Sequence, residues 1–247
     1  MARRFAGSTS TDRIEFGDQS GTAARTMSVW CYFDAIDGTD RRLWDWATGA
    51  SLIDNPRCNT TRFGISIGFS TAAGSWQTTT LPTTGQWVNI CITFAGTSSD
   101  DAVIYYDGVS QTVTETGTPS GTANTSAVAW MVGNRSGNDR AFDGAMAEIG
   151  RWNRVLSTGE ILSLAKGLSP ALIPNGLVRY IPLMGKNSPE TDIRSGITGT
   201  VTGAVADPHP RIIYPSGSQM RRFATAGGAP ATSVKDLISS GFIPFAR

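Results

Sequence analysis

The chain has 247 residues, a formal net charge of +1 and 17% charged residues. This length suits one large domain, or one domain with an extension, and the near-neutral charge excludes a nucleic-acid groove or a polybasic membrane patch. The longest apolar runs are far too short to cross a bilayer, while 28 glycines and long Ser/Thr tracts predict turns and short strands.

The first part of the chain has the pattern of a series of short strands. Residues 12–18 alternate apolar and polar side chains, and residues 26–35 are rich in β-branched and aromatic residues. Residues 42–49 and 62–70 also alternate, and the latter strand has one large apolar face and one face of glycine and serine. Glycines on one face of a strand predict that something packs closely there.

Residues 85–108 predict a β-hairpin, with a polar turn between two strands. The return strand ends at Asp107 and Gly108, a pair typical of tight turns. We expect the hairpin to be a core element, and further strands to follow at residues 110–116, 127–134 and 144–154. The first strand of the hairpin places four large apolar side chains on one face: Val88, Ile90, Ile92 and Phe94.

One helix is clearly signalled late in the chain. Ser157 and Glu160 have the spacing of a capping box, in which each side chain bonds a free backbone N–H of the first turn. Gly167 is the predicted C-terminal stop. About ten to twelve short strands with one short helix indicate an all-β fold, an antiparallel β-sandwich of the jelly-roll type.

Three segments in order resemble motifs of the laminin-G-like, concanavalin A-like jelly roll. Residues 26–35 resemble a T-h-S-h-W-h strand, where h is apolar, and residues 85–108 resemble a W-h-H-V-A-h-T-Y hairpin that ends in D-G. Residues 132–167 resemble F-x-G-x-I-D-E followed by N-R-x-L-S-x-x-E-I. The resemblance covers residues 5–167 and implies the fold of this lectin and glucanase family.

The remainder of the chain completes the predicted division. Residues 168–215 contain further strand-like segments and resemble the back half of related proteins encoded in bacteriophage genomes. We therefore predict a sandwich over residues 1–215 and an extended C-terminal arm over residues 216–247. Two positions depart from the motifs, because Asn89 stands where the family often has His and Ala147 where it commonly has Asp.

The sequence contains neither a recognisable catalytic triad nor the paired carboxylates of a glucanase. The single histidine, His209, lies between two prolines, so a catalytic triad would have to use this one residue. Glucanases of this fold need paired carboxylates on one face of a strand, whereas Asp12 and Glu15 would lie on opposite faces. We predict a protein that is not an enzyme and has no cofactor other than a candidate calcium ion. Three cysteines are predicted to be buried free thiols: Cys31, Cys58 and Cys91.

Two kinds of binding site have candidate residues. Calcium binds several carboxylate and carbonyl oxygens, which the loops of one end of the sandwich can offer, although such residues are also typical of turns. The candidate calcium ligands are Asp107, Asn134, Asp139 and Asp143. Exposed aromatic rings can stack on sugars, and the alternative for most of them is core packing. The candidate glycan-stacking residues are Trp44, Trp46, Trp76 and Trp130.

The main hypothesis is a virion structural or accessory protein of a bacteriophage, with head decoration as the first choice. Such a protein is made in the cytoplasm of the bacterial host, which agrees with the lack of a secretory signal at its N-terminus. The predicted partners are the major capsid protein or neighbouring copies, with no nucleic acid or membrane, and a homo-oligomer stays open. The arm residues predicted to bind these partners are Leu237, Ile238, Phe242, Ile243 and Phe245.

The alternative is a carbohydrate-binding module, associated with a phage tail or fibre, that attaches to host surface glycans. Both hypotheses share the jelly-roll fold and the absence of a catalytic set. They differ in the surface that carries the function, which is the C-terminal arm in the first case and the face or loops of the sandwich in the second.

Overall fold

The structure is a computed structural model that describes residues 1–7, 11–48, 51–184 and 188–215. Its regular structure is almost entirely antiparallel strand. In chain order the strands are β1 (Ala2–Ala6), β2 (Arg13–Ser20), β3 (Arg25–Phe33), β4 (Arg41–Arg42), β5 (Trp44–Thr48), β6 (Ser51–Asn59), β7 (Arg62–Ile67), β8 (Gly74–Thr78), β9 (Trp87–Phe94), β10 (Val103–Tyr106), β11 (Val109–Ser110), β12 (Thr114–Gly117), β13 (Ala127–Val132), β14 (Asp143–Trp152), β15 (Leu177–Ile181), β16 (Glu190–Thr191), β17 (Thr198–Thr202) and β18 (Val205–Asp207).

The strands form two sheets with a common core between them. Sheet A has the order β11-β10-β9-β3-β14-β1-β18, and β15 also pairs with β14. Sheet B has the order β12-β8-β7-β6-β5-β13-β2-β17-β16, and β4 also pairs with β6. The strand pairs within both sheets are antiparallel. The prediction of an antiparallel β-sandwich is confirmed.

The core is built from the inward faces of the two sheets. The predicted hairpin is β9 and β10, and the inward side chains of β9 are at most 2% exposed. Strand β7 contributes Phe63, Ile65 and Ile67, which are completely buried. All three cysteines are buried and free, as predicted. Alternation along the strands therefore identifies the core correctly in both sheets.

Some strands have no clear pattern in the sequence. Strands β1, β6 and β8 were not predicted, and the predicted strand over residues 42–49 is divided into β4 and β5. Strand β6 contains Asp54, Asn55, Pro56 and Arg57 in succession, a composition that strands generally avoid. Its position depends on partners distant in the sequence, as the contacts of Asp54 show.

Asp54 lies at 0% exposure between the two sheets. Its carboxylate accepts hydrogen bonds from Arg25 of β3 (2.9 Å) and from Arg151 of β14 (3.0 and 2.8 Å). The indole Nε1 of Trp44 donates a fourth hydrogen bond, of 2.7 Å. The carboxylate on sheet B and the two guanidinium groups on sheet A therefore join the layers by a buried charge network.

Helix α1 (Thr158–Ala165) begins with the capping box that the sequence predicts. The Oγ of Ser157 accepts a hydrogen bond from the Glu160 backbone N–H (3.3 Å), and the Glu160 carboxylate accepts one from the Ser157 N–H (2.8 Å). Ile161 and Leu164 pack with Cys91 of β9 in a second apolar cluster. Together with a short 3₁₀ helix (Pro170–Leu172), α1 therefore covers part of the outward face of sheet A.

Strands from residues 168–215 pair within both sheets. Strand β15 pairs with β14, β18 with β1 and β17 with β2. The predicted arm lies outside the described residues, as do its proposed binding residues Leu237, Ile238, Phe242, Ile243 and Phe245, and the division at residue 215 stays a prediction. Within the described ranges, no helix is long and apolar enough to span a membrane.

Candidate functional site

The four tryptophans proposed for glycan stacking belong to the core. Each is about 1% exposed, so no ring face is available to a sugar and this prediction was wrong. The rings of Trp46 and Trp130 stack on each other with centroids 5.3 Å apart. The indole N–H of Trp44 donates to Asp54, and that of Trp76 donates to Asp101 at 2.9 Å. All four therefore lie on the inward faces of their strands.

The four proposed calcium ligands do not converge on one point. Asp107 follows β10 and Asp143 begins β14, and these strands are three spacings apart in sheet A, about 14 Å. The Asp107 carboxylate accepts a hydrogen bond from the Asn89 N–H (2.8 Å), which fixes the hairpin turn. Asp139 forms an ion pair with Arg135. The prediction of one site from these residues was wrong.

The other members of the proposed set serve loop structure. The side-chain oxygen of Asn134 accepts hydrogen bonds from the N–H groups of Arg135 (2.9 Å) and Arg140 (3.1 Å). Burial and then repulsion from Asp34 raise the pKa of Asp143. Within the described residues, no group of three His, Cys, Asp or Glu side chains is arranged to hold a metal ion.

A buried polar network, which no motif of the sequence indicates, surrounds Glu148. Its carboxylate accepts hydrogen bonds from the hydroxyl groups of Tyr180 (2.6 Å) and Tyr214 (2.9 Å), and His209 Nε2 lies 3.2 Å from it. The Oγ of Ser169 donates to the Tyr180 hydroxyl group (2.8 Å). Burial raises the pKa of both tyrosines. The network therefore attaches Ser169, Tyr180, His209 and Tyr214, from later segments of the chain, to β14.

Glu148 has a left-handed backbone conformation, with φ of 58°. It lies within an irregularity of the β14 and β3 pairing, where the register shifts between Ala147 and Gly150. Such a bulge changes the direction in which a side chain points. At this bulge, the Glu148 carboxylate contacts Tyr180, Tyr214 and His209. The contact of the single histidine with Glu148 is therefore a structural one. Among the described residues, no nucleophilic side chain lies next to His209 in the arrangement of a catalytic pair.

The outward side of sheet B is the polar surface that remains. We call it the open face, because α1 and the 3₁₀ helix pack on strands of sheet A. In antiparallel strands, residues that lie directly opposite each other are on the same side of the sheet. One such row crosses four strands and contains Arg42, Arg57, Gly64 and Gln77. The open face consists of Arg42, Asp45, Asn55, Arg57, Arg62, Ser66, Ser75 and Gln77.

Hydrogen bonds order the centre of the open face. One guanidinium nitrogen of Arg57 donates to Asn55 Oδ1 (2.9 Å) and to Ser66 Oγ (2.7 Å). The hydroxyl groups of Ser66 and Ser75 are 2.8 Å apart and hydrogen-bonded. These small hydroxyl and amide groups lie below the longer arginine side chains, since Asn55 and Ser66 are less than a tenth exposed.

At one edge of the open face, Asp40 organises a second set of contacts. Its carboxylate accepts hydrogen bonds from Arg62 (3.2 Å) and from the side-chain amide of Asn59 (2.7 Å). Arg57 Nε lies 3.9 Å from the same carboxylate, too far for a hydrogen bond. Asp40 therefore holds Arg62 in place and only partly offsets the charge of Arg57.

Arg42 is the least satisfied cation of the open face. Its Nε and Nη1 atoms are buried and have no hydrogen-bond partner in the part of the chain that the structure describes. The nearest carboxylate oxygen, of Asp45, is 3.9 Å from Nε. Burial, followed by repulsion from Arg57, lowers the pKa of Arg42 to about 10, so the group stays charged at neutral pH.

The glycines of β7 and the residues after it have a simpler explanation than a closely packed partner. A Cβ on Gly64 would lie 2.8 Å from the carbonyl oxygen of Trp76, and one on Gly68 would lie 1.8 Å from that of Leu52. The neighbouring strands therefore already require glycine. On the open face, the consequence is a position without a side chain between Arg57 and Gln77.

The chain is similar to known proteins in fold and motif. A family model described as the concanavalin A-like lectin/glucanases superfamily matches residues 8–162, more than half of the chain. No curated protein matches it.

Solved structures resemble this chain over most of its length, and two of them illustrate the likeness. A candidate carbohydrate-binding protein from Bacteroides ovatus ATCC 8483 has a TM-score of 0.62 at 15% identity, and the match covers 86% of this chain and 61% of that one. This chain thus spans about three fifths of that protein's length. The native heptameric SAP-like pentraxin from Limulus polyphemus has a TM-score of 0.56 at 13% identity, with 82% and 95% covered. At these identities the likeness shows the fold alone.

Proposed function

Because the chain belongs to the concanavalin A-like lectin/glucanase superfamily, we propose that it is a non-enzymatic carbohydrate-binding protein whose open face contacts the glycan. The observation that carries this proposal is the contrast between the two sheets. Helix α1 packs on sheet A, whereas sheet B presents ordered hydroxyl, amide and guanidinium groups on its outward side. Saccharides offer hydroxyl groups that donate and accept hydrogen bonds, which matches such a surface.

Hydrogen bonding, not ring stacking, is the proposed mode of recognition. The tryptophans of sheet B are in the core, so the polar groups of the open face supply the contacts. Their mutual hydrogen bonds hold them in place before the ligand arrives, and preorganisation lowers the entropy lost on binding. The similar Bacteroides protein, described in connection with carbohydrate binding, supports this choice through the shared fold.

Binding without hydrolysis is proposed because three carboxylates of this side each lie beside an arginine. Asp45 lies 3.9 Å from Arg42, and Glu15 lies 3.5 Å from Arg13. Asp40 lies 3.2 Å from Arg62. A neighbouring guanidinium group favours the charged form of a carboxyl group, whereas a glycosidase needs one carboxyl group that keeps its proton.

The phage decoration hypothesis stays a prediction. Neither the family match nor the similar structures concern a virion or a capsid partner. The arm on which that hypothesis depends lies outside the described residues. Location in a virion and attachment to a tail or fibre likewise stay predictions, and glycan binding by the sandwich is compatible with them.

The test is a screen of the full chain against immobilised glycans, followed by the double variant Arg57→Ala/Ser66→Ala. We expect binding to at least one glycan class and a loss of tenfold or more in the variant, because hydrogen-bonding groups at the centre of the face are removed. Arg211→Ala is the matched control, since it removes an exposed arginine outside the open face. Thermal denaturation of each variant establishes that it is folded.

Three outcomes contradict the proposal. If the chain binds no glycan, the proposed function is wrong. If the folded double variant binds as tightly as the wild type, the open face is not the binding site. Release of new reducing ends from a bound glycan, lost on Asp45→Asn, makes the protein a hydrolase.

A further inference from the structure

Arg42 has an unusual position for a cation of the open face. Its side chain is only 12% exposed, and Nε and Nη1 find no acceptor among the described residues. Arginine in such surroundings ordinarily forms a bidentate pair with an oxyanion. At 3.9 Å, Asp45 attracts the guanidinium group but does not satisfy its hydrogen bonds.

The charges around Arg42 do not balance. Arg42, Arg57 and Arg62 face two carboxylates, Asp40 and Asp45, which leaves one positive charge unmatched. Arg135 is paired with Asp139 at 2.6 Å, and Arg140 approaches the same carboxylate to 3.9 Å. A ligand group with one negative charge complements the unmatched positive charge beside Arg42.

We propose that Arg42 forms a subsite for a monoanionic oxyanion, and that the open face therefore selects acidic saccharides. The proposal rests on the glycan-binding function proposed above and names its ligand class. The group recognised is the carboxylate of a uronic acid or the sulfate of a sulfated sugar, which present the same charge and pairs of oxygens to a guanidinium fork.

The surroundings of Arg42 suit a sugar that carries such a group. Arg57 and Gln77 lie on strands two spacings apart, about 10 Å, with no side chain at Gly64 between them. Ser66 and Ser75 offer hydroxyl groups along the adjacent row, so a sugar that places its anionic group on Arg42 finds hydrogen-bonding partners nearby. Because Nε and Nη1 of Arg42 are buried, binding of the anion requires the guanidinium group to turn outward about its side-chain torsions.

The chain's own C-terminal segment is a poor substitute for such a ligand. Residues 216–247 contain four cationic side chains and one carboxylate. Like charge disfavours their association with the arginines of the open face. The charged residues of that segment are Arg221, Arg222, Lys235, Asp236 and Arg247.

The experiment is titration calorimetry of the full chain with paired probes. Oligogalacturonate is compared with its methyl ester, and a sulfated galactan oligosaccharide with the unsulfated form. We expect at least one charged probe to bind tenfold or more tightly than its neutral partner, and the preference between carboxylate and sulfate to identify the group. The advantage should fall as the salt concentration is raised.

Three variants test the subsite itself. Arg42→Gln should remove most of the preference for the charged probe, and Arg42→Lys should restore it only in part, because the charge returns without the fork. Asp45→Asn should instead strengthen binding of the charged probe several-fold, because it removes the competing carboxylate. This opposite effect does not arise from poor folding.

The outcomes separate the two proposals. If neutral and charged probes bind alike and Arg42→Gln changes neither affinity, the anion subsite is wrong while glycan binding stands. If Asp45→Asn fails to strengthen binding of the charged probe, the role assigned to Arg42 is also wrong. If no saccharide binds, the proposed function fails together with it.

Discussion

Asp54 joins the two sheets through charge, beside the large apolar cluster of the core. Its carboxylate is shared by Arg25 and Arg151, and the Arg151 guanidinium group also lies 4.3 Å from the Trp46 ring centroid. Burial alone would raise the pKa of Asp54, yet the two arginines lower it to about 2. The network thus places the carboxylate in its charged form throughout the neutral range.

We expect Asp54→Asn to lower the free energy of unfolding by about 3–5 kcal/mol, because it leaves two buried guanidinium groups without their counter-charge. Urea denaturation measures the change. Asp139→Asn is the control, since its ion pair with Arg135 is at the surface and such pairs contribute little. Equal effects of the two substitutions would contradict the assigned role of Asp54.

The same carboxylate predicts a pH dependence. Its folded pKa of about 2 lies below its ordinary value of 3.8, so the unfolded chain binds the proton more readily. The stabilisation is therefore fully present above pH ~4 and is lost as the pH falls toward 2. Asp54→Asn should show a smaller loss of stability over this interval, and a wild-type slope in the variant would count against the assignment.

At the residue scale, the alternation of apolar and polar residues predicts the side of the sheet on which a side chain lies better than it predicts the function of that side chain. Asp45 lies between Trp44 and Trp46, and the charged side chain is the one expected on the outward side of the sheet. It lies there beside Arg42, although the residue is only 7% exposed. The two rings are therefore inward and unavailable to sugars. Arg42 could not be recognised in this way, because the absence of acceptors for its Nε and Nη1 among the described residues depends on the register of β4 against β6.

At the element scale, local patterns predict the hairpin and α1 but not β6. The hairpin has alternation and a turn pair, and α1 has its capping box, all within a few residues. Strand β6 depends on Arg25 and Arg151, which are distant in sequence. The Glu148 network is hidden for the same reason, since Tyr180, His209 and Tyr214 reach β14 from later segments.

This network gives a prediction that compares two similar substitutions. Tyr180→Phe should lower the free energy of unfolding by ~1–3 kcal/mol, because it removes a hydroxyl group that bonds both Glu148 and Ser169 in a buried site. Tyr214→Phe should cost less, because the Tyr214 hydroxyl group forms one hydrogen bond in the network where that of Tyr180 forms two, and the residue is 41% exposed. Chemical denaturation of both variants decides, and an equal or reversed order contradicts the prediction.

For the whole molecule, the family motifs describe only part of the folded unit. They cover residues 5–167, whereas β15, β17 and β18 pair with strands from the first part of the chain. Pairings such as Ala2 with Asp207 are separated by most of the chain. No local pattern specifies them, which is why the sequence predicts the sandwich but not the order of its strands.

Two truncations test this account of the whole molecule. A chain of residues 1–167 lacks β15, which pairs with the edge of β14 opposite to β3. It also lacks Glu190, the ion-pair partner of Arg3, and Tyr180, which donates a hydrogen bond to Glu148. We expect it to lack cooperative unfolding, because the edge of β14 and a buried carboxylate then lose their partners. A chain of residues 1–215 should unfold cooperatively with the midpoint of the full chain, as the predicted division at residue 215 requires. Circular dichroism during thermal denaturation measures both, and cooperative unfolding of the shorter chain would mean that the motif-bearing part folds without the later strands.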